Sequence, residues 1–417
     1  MRTSEKIKNY TCRFCHSENV YSMVDLGMSP LCESYLSAEQ VNKMEAFYPL
    51  HVFVCEECFL VQLEEFVPRE DIFTEYAYFS SYATSWVEHA KQYTDMVIER
   101  FGLTDKSHVV ELASNDGYLL QHFVNRGIPC LGIEPAANVA KAAIEKGVPT
   151  QTLFFDAQSA QTLLQHGKKP DLLIGNNVLA QVPDLNSFVA GMKLYLNKHG
   201  LITMEFPHLL NLMQHNQFDT IYHEHFSYFS LLTVEKIFLA HELKIFDVEE
   251  IPTHGGSLRI FAAHQKDDSK RETQRLEQLR QRERDAGLNR LETYSTFAEQ
   301  VKETKRKILD FFIQAKRDGK RIVGYGAPGK GNTLLNYCGV RTDFLDFTVD
   351  RNPYKHGKFL PGTHIPIYAP DKIKDAQPDY VFILPWNFKD EIVQQNAFIR
   401  EWNGKFVVPI PELEIFV

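Results

Sequence analysis

The stretch His108-Val-Val-Glu-Leu-Ala-Ser-Asn-Asp-Gly117 decides how this chain is read. A short apolar run that ends in small and turn-forming residues is a buried strand entering a βα turn. Tyr118–Asn125 behind it reads as helix, Cys130-Leu-Gly-Ile-Glu134 as a second strand and Asn138–Lys146 as a second helix. Asp171-Leu-Leu-Ile-Gly175 and Gly200-Leu-Ile-Thr-Met-Glu205 continue the series. Alternation of this kind builds a parallel sheet covered by helices on both faces.

The turn itself carries chemistry. Its one glycine, Gly117, does not make a Gly-x-Gly-x-x-Gly fingerprint, so no pyrophosphate cradle is present and NAD is disfavoured. Small residues still let backbone approach a ligand, which makes Glu111, Ala113, Asn115 and Gly117 candidate cofactor contacts. Glu134, followed by Pro135, ends the second strand, where an acid can accept both hydroxyls of a ribose. Asn176 and Asn177 end the third, where the ligand crevice of such a sheet lies. An acid, a glycine turn, a second acid and no phosphate loop point to S-adenosylmethionine. The blander reading is an ordinary βα turn.

Upstream stand two cysteine knuckles, Cys12-Arg-Phe-Cys15 and Cys55-Glu-Glu-Cys58. Two Cys-x-x-Cys pairs supply four thiolates at tetrahedral angles, so Cys12, Cys15, Cys55 and Cys58 are read as a structural zinc site. Four sulfurs leave no open coordination position, and the metal is expected to do no chemistry. A redox dithiol is the competing reading. Residues 1–75 are too few for a large core, and a metal supplies the missing stability.

A chain of 417 residues exceeds one core. The expected modules are 1–75, 76–250 and 251–417. Residues 76–105 read as helix. The charged run 268–320 reads as a solvated helical connector, broken near Asp285-Ala-Gly287. Beyond it Arg321-Ile-Val-Gly-Tyr-Gly326, Phe344–Val349 and Tyr380-Val-Phe-Ile-Leu384 resume the βα pattern, a second α/β unit.

Net charge is −9, which argues against a nucleic-acid or anionic-membrane surface. No run of 18 apolar residues is present, and the N-terminus lacks the apolar core of a signal peptide, so a cytoplasmic location with reduced thiols is expected. Of the seven cysteines, Cys32, Cys130 and Cys338 fall outside the knuckles and read as small buried hydrophobes.

Tyr222-His-Glu-His-Phe226 is the most reactive-looking stretch. If helical, it puts Tyr222 and His225 on one face. One group then abstracts a proton while another orients it or stabilises negative charge. A His-x-His metal site competes but lacks a third ligand at helical spacing. Tyr76-Ala-Tyr-Phe-Ser-Ser-Tyr82 offers hydroxyls and rings, and His254-Gly-Gly-Ser-Leu-Arg259 an anion contact. Gly324-Tyr-Gly-Ala-Pro-Gly-Lys-Gly331 resembles a phosphate-holding loop without matching the ATPase pattern. It suits a diphosphate held by backbone amides and Lys330, or is simply a tight βα turn.

Taken in order, these motifs, with Asn177-Val-Leu-Ala-Gln-Val-Pro-Asp184 and Pro385-Trp-Asn387, resemble the zinc-containing sugar C-methyltransferases. Those enzymes act at C-3′ of nucleotide-linked 4-keto-6-deoxysugars. The resemblance spans essentially the whole chain. It implies three parts: a small N-terminal zinc-binding module, a central Rossmann-like class I methyltransferase domain holding S-adenosylmethionine, and a second Rossmann-like α/β domain that helps hold the nucleotide sugar. It implies His225 as the base, with Tyr222 and Glu224 lining the sugar site and Tyr76 close by. Tyr78, Ser80, Gln181, Phe206, His254, Arg259 and Lys330 complete the candidate substrate contacts. One departure stands out: the family carries histidine where this chain has Gln181. Rival readings are an O- or N-methyltransferase on another small molecule, and a nucleotide-sugar binding protein without turnover. Three domains can enclose the site alone, so a monomer bound to a TDP- or GDP-linked sugar is expected.

Overall fold

The computed structural model describes residues 5–8, 10–74, 79–82 and 84–417, which build three sheets. In the N-terminal sheet Val20–Ser29 pairs antiparallel with Tyr48–Cys55, which pairs with Val61–Leu63. Its fourth strand, Ser227–Tyr228, comes from the central region and lies beside Val61 and Gln62. Residues far apart in sequence are thereby locked together just after the Tyr222–Phe226 motif.

The central sheet has seven strands in the order Leu243–Ile251, Ser257–His264, Leu201–Pro207, Leu172–Asn176, Val109–Leu112, Cys130–Ile133, Thr150–Gln151. Val109, Val110, Glu111 and Leu112 are all buried, because helices cover both faces of this middle strand. The sheet is not wholly parallel. Ser257–His264 runs antiparallel to both its neighbours, forming an edge hairpin with Leu243–Ile251. The central sheet therefore extends to His264, past the boundary expected at residue 250.

The C-terminal sheet runs Ile367–Tyr368, Thr348–Val349, Ile322–Tyr325, Tyr380–Ile383, Lys405–Val408, Glu414–Phe416. All neighbours are parallel except the last pair. It is a second Rossmann-like layer.

Several helices are shorter than expected. The helix expected over 76–105 is Thr84–Phe101, and that over Tyr118–Asn125 is Leu120–Val124. The charged connector forms three helices, Gln274–Asp285, Leu291–Ser295 and Phe297–Arg317. Nor is it merely solvated. Phe297, Val301, Ile308 and Phe312 recur on one helical face and are fully buried. Each such burial stabilises by about 1.5–3 kcal/mol. Glu283 is buried as well: it accepts from the Leu231 and Leu232 amides and pairs with His208 at 2.7 Å. It caps the helix Leu231–Ala240 and ties the connector to the central domain.

Among the described residues no helix is long and apolar enough to cross a membrane.

Candidate active site

A cavity of about 480 Å³ lies at the carboxyl ends of the central strands, where all three modules meet. The turn after Val109–Leu112 forms one wall. Ala113, Asn115 and Gly117 there have φ of 54°, 49° and 76°. Left-handed backbone at two non-glycine residues is costly and persists where surrounding structure imposes it. Here the Asn115 amide donates to Glu134 Oε2 at 2.8 Å, and the Ser80 amide donates to Asn115 Oδ1 at 2.9 Å. Gly117 does not reach the cavity. A Cβ there would lie 2.9 Å from Val148 Cγ2, so the glycine serves close packing beneath the turn. Glu111 is also fully buried and away from the cavity lining. Burial, then the carboxylates of Glu134 and Asp116, push its pKa well above the ordinary value.

Glu134 does line the cavity, beside Pro135. Burial raises its pKa to about 7, against the hydrogen bonds it accepts from the Ala136 and Asn115 amides. Asn176 and Asn177 line the opposite side, and the side-chain polar atoms of Asn176 together with Asn177 Oδ1 are buried without a protein partner. An acid at the second strand end and orphaned amide groups at the third match a nucleoside-bearing ligand, since such groups are otherwise costly. The residues present fit S-adenosylmethionine.

Tyr222–His225 is a turn, not a helix, because Ile221 is extended and the chain must re-enter as the strand Ser227–Tyr228. The turn nevertheless brings Tyr222 and His225 together, ring centroids 4.2 Å apart. His225 Nδ1 lies 3.1 Å from the Thr220 carbonyl. A carbonyl only accepts, so Nδ1 carries the proton and Nε2 is left with its lone pair. Burial is the main reason its pKa falls to about 4. Glu224 receives the Cys32 thiol at 3.6 Å. His223 turns away to the Pro49 carbonyl at 3.1 Å, which removes the His-x-His metal geometry.

The other expected contacts divide. Ser80, Gln181, His254 and Lys330 line the cavity. His254 is held near pKa 4 by burial and then by Lys330. Lys330 donates to Asn387 Oδ1 at 2.9 Å and sits 4.5 Å from the Trp386 ring centroid; burial lowers its pKa and Asp219 opposes. Phe206 and Arg259 do not line the cavity. Phe206 is fully buried against Phe229, as its inward position on a central strand dictates. Arg259 is spent on Glu205 at 3.0 Å and Glu249 at 2.9 Å, so no charge is left for an anion. Tyr76 and Tyr78 lie outside the described residues.

Sequence reasoning missed Trp86, His89, Cys32, Glu33 and Asn387, all of which line the cavity. His89 shares Glu205 with Arg259 at 3.0 Å and stacks on Trp86. Both sit on a helix whose amphipathic pattern looks like packing. Cys32 looked like a small hydrophobe, and only its contact with Glu224 marks it.

The knuckles converge. Cys12, Cys15, Cys55 and Cys58 place their sulfurs within 4.8 Å of one another. The residue after each knuckle, His16 or Phe59, is left-handed, closing equivalent turns. The Leu60 amide and Gln62 Nε2 point at Cys58 and Cys12 sulfurs, at 3.4 and 3.3 Å. Such donors stabilise thiolates, and the four sulfurs would hold a structural zinc.

Fold and cavity define an S-adenosylmethionine-dependent methyltransferase with a structural zinc module. Family models for a zinc binding domain, a methyltransferase domain and a C-methyltransferase C-terminal domain match residues 12–73, 86–248 and 252–411. C-methyltransferase NovU from Streptomyces niveus is 36% identical over 401 residues, 96% of this chain and 95% of that one. The chain belongs to the C-methyltransferase family. Two solved structures overlap it partly, each at 14% identity. PH0226 from Pyrococcus horikoshii OT3 has TM-score 0.38 over 48% of this chain and 99% of its own. Magnesium protoporphyrin IX methyltransferase from Synechocystis PCC 6803 with bound SAM has TM-score 0.33 over 43% and 79%. At those scores they add nothing to the strand order as evidence of fold.

Proposed function

We propose that the protein methylates carbon C-3′ of a nucleotide-diphosphate-linked 4-keto-6-deoxysugar, with His225 as the base. S-adenosylmethionine, when bound, supplies an electrophilic methyl group. Glu134 accepts the ribose hydroxyls, and Asn115, Asn176 and Asn177 contact the rest of the cofactor beside Ala113 and Pro135.

The observation that carries the base assignment is the Nδ1 bond to Thr220, which leaves Nε2 as the free lone pair. His225 Nε2 takes the proton from C-3′, and the electrons of that C–H bond move toward the 4-keto oxygen. The enolate carbon would then bond the methyl as the sulfonium S–CH3 bond breaks, its electron pair staying on sulfur and S-adenosylhomocysteine leaving. A base of this kind contributes roughly 10²–10⁴-fold. Tyr222 stays a protonated phenol, since burial and then Cys32 and Glu224 hold its pKa well above the usual range. It is a hydrogen-bond donor for the developing oxyanion, a role worth about 10²–10³-fold. Glu224 holds a sugar hydroxyl, while Ser80, Gln181, His254 and Lys330 line the substrate region. Gln181 orients but does not titrate.

The test is a mass-spectrometric assay with S-adenosylmethionine and a panel of TDP- and GDP-linked 4-keto-6-deoxysugars in D₂O. One methyl gained on carbon, and C-3′ exchange lost in His225→Asn, are expected. Exchange that survives in the variant would sink the base assignment. No transfer to any sugar despite cofactor binding would turn the reading to another acceptor.

A further inference from the structure

Gly324-Tyr-Gly326-Ala-Pro-Gly329 has the Gly-x-Gly-x-x-Gly spacing of dinucleotide-binding units. The context also fits. The first two glycines flank the end of the strand Ile322–Tyr325, the third opens the helix Gly329–Cys338, and Asp350 follows the next parallel strand. In such a unit a pyrophosphate would sit at the helix start and a ribose on the acid.

This chain's N-terminal module packs into that cleft, leaving only Pro328, Gly329 and Lys330 of the helix start on the wall of the shared cavity. Tyr35 donates its hydroxyl to the Ala327 carbonyl at 2.6 Å, and Lys355 Nζ reaches both that carbonyl and the Tyr35 oxygen, at 2.8 and 2.9 Å. A Cβ on Gly329 would come within 2.9 Å of Cys32 Sγ and 3.3 Å of Glu33 Oε1. The third glycine thus admits the segment Cys32–Tyr35 where a dinucleotide would lie. Asp350 is turned inward, accepting from the Ala327 and Asn352 amides.

The helix behind the loop grips two things at once. Asn332 and Thr333 are adjacent, 1% and 2% exposed, and polar where an apolar residue would be the default. Asn332 Nδ2 donates to the Cys32 carbonyl at 2.6 Å. Thr333 Oγ1 donates to the Ile221 carbonyl at 2.9 Å. The carbonyl one residue earlier, of Thr220, is the one that fixes the His225 tautomer. Cys32 in turn touches Glu224. Buried polar groups kept in such a chain specify one arrangement of the backbone that they hold.

We propose that the C-terminal unit is a dinucleotide-type fold converted into a clamp, in which Asn332 and Thr333 are positioning residues for the Tyr222–His225 turn. The clamp sets the turn by holding its start, Ile221, and the Cys32 segment against Glu224. This rests on the reading of that turn as the site of proton abstraction.

The experiment compares Thr333→Val, Thr333→Ser and Asn332→Ala in the full zinc-loaded chain. ¹⁵N-histidine NMR reads the His225 tautomer without any substrate, and methyl transfer is assayed in parallel. Thr333→Val should lose the single Nδ1–H signal of His225 and lower kcat about tenfold, the worth of one buried hydrogen bond, with cofactor affinity unchanged. Thr333→Ser should restore both. Wild-type protein should show no NADH binding in equilibrium dialysis. The clamp is overturned if Val and Ser behave alike, if kcat stays level while only the melting temperature falls, or if NADH binds. Because the tautomer signal needs no sugar, a wrong substrate class would leave that arm intact, and the two failures separate.

Discussion

Thr220 and His225 are joined within one turn: the ring nitrogen Nδ1 donates to the Thr220 carbonyl at 3.1 Å. That bond fixes the tautomer, and burial, the larger effect, keeps the ring neutral to about pH 4. A base that is free at Nε2 and uncharged across the physiological range follows from those two facts.

The first prediction concerns pH. With the His225 pKa near 4 rather than 6.5, kcat/KM for the sugar, measured at saturating S-adenosylmethionine so that Glu134 drops out, should stay level from pH 7 to about 5 and fall only near 4. An acid limb at 6.5 would contradict it. Stability follows a different sign argument. Between pH 6.5 and about 4 the unfolded chain carries protons on His225 and His254 that the folded chain does not, so stability falls as pH drops through that window. Asp219, raised to about 6 mainly by burial, acts oppositely, its contribution being lost as pH rises. In His225→Asn the acid-side decline in melting temperature should therefore be shallower than in wild type.

Cofactor affinity should also depend on pH. A carboxylate accepts two ribose hydroxyls better than its protonated form does. Burial holds Glu134 at a pKa of about 7, so affinity for S-adenosylmethionine should rise between pH 6 and 8. Calorimetry checks this. Glu134→Gln should flatten the dependence and weaken binding about tenfold, the effect of one charged hydrogen bond. Unaltered binding in the variant would remove Glu134 from the cofactor site.

Much of this was legible in the residues, for reasons that differ by place. The middle strands, each a continuous buried run ending in a turn, could be read because burial on both faces leaves no polar alternation. The knuckles could be read because cysteine at that spacing has few other uses. The edge hairpin through His264 was missed because its second strand, Ser257–His264, begins inside the His254–Arg259 motif, which read as an anion contact. Arg259 and Phe206 were misplaced for a related reason: a strand's alternation decides which side chains face a cavity, and register is set by partners distant in sequence. Cys32 and Glu33 reach the cavity only through contacts between modules, and His89 only through a helix packed beside the strand that carries Glu205, neither of which a local pattern records.

Arg259 has a structural consequence that its motif hides. It lies 3.0 Å from Glu205, which has no exposed surface, and its guanidinium covers the Tyr93 ring at 4.7 Å. Arg259→Ala would leave a buried carboxylate short of its main cation and should destabilise by about 3–5 kcal/mol. Pairing it with Glu205→Gln should recover part of the loss, because the uncompensated charge is gone. Chemical denaturation of the two variants checks this. Equal losses in single and double variants would show that ring packing, not charge, is what Arg259 supplies.

Zinc should matter to catalysis without touching it. The Cys55–Cys58 knuckle is the turn between Tyr48–Cys55 and Val61–Leu63, and the latter strand pairs with Ser227–Tyr228 directly after His225. The Leu63 amide also donates to the Phe226 carbonyl at 3.0 Å. Freed from the metal, the knuckles lose the energy that folds so small a module, on the order of 10 kcal/mol for structural zinc sites. The sheet edge supporting the turn then loosens, whereas Glu134 and the Ala113–Gly117 turn rest on the central sheet. Chelation, or Cys55→Ser, should therefore lower kcat and the first melting transition while leaving affinity for S-adenosylmethionine within about twofold, since distant and independent sites are nearly additive. Elemental analysis should give one zinc per chain before chelation. Cofactor binding that collapses together with the metal would mean that the central domain depends on the zinc module for its own fold.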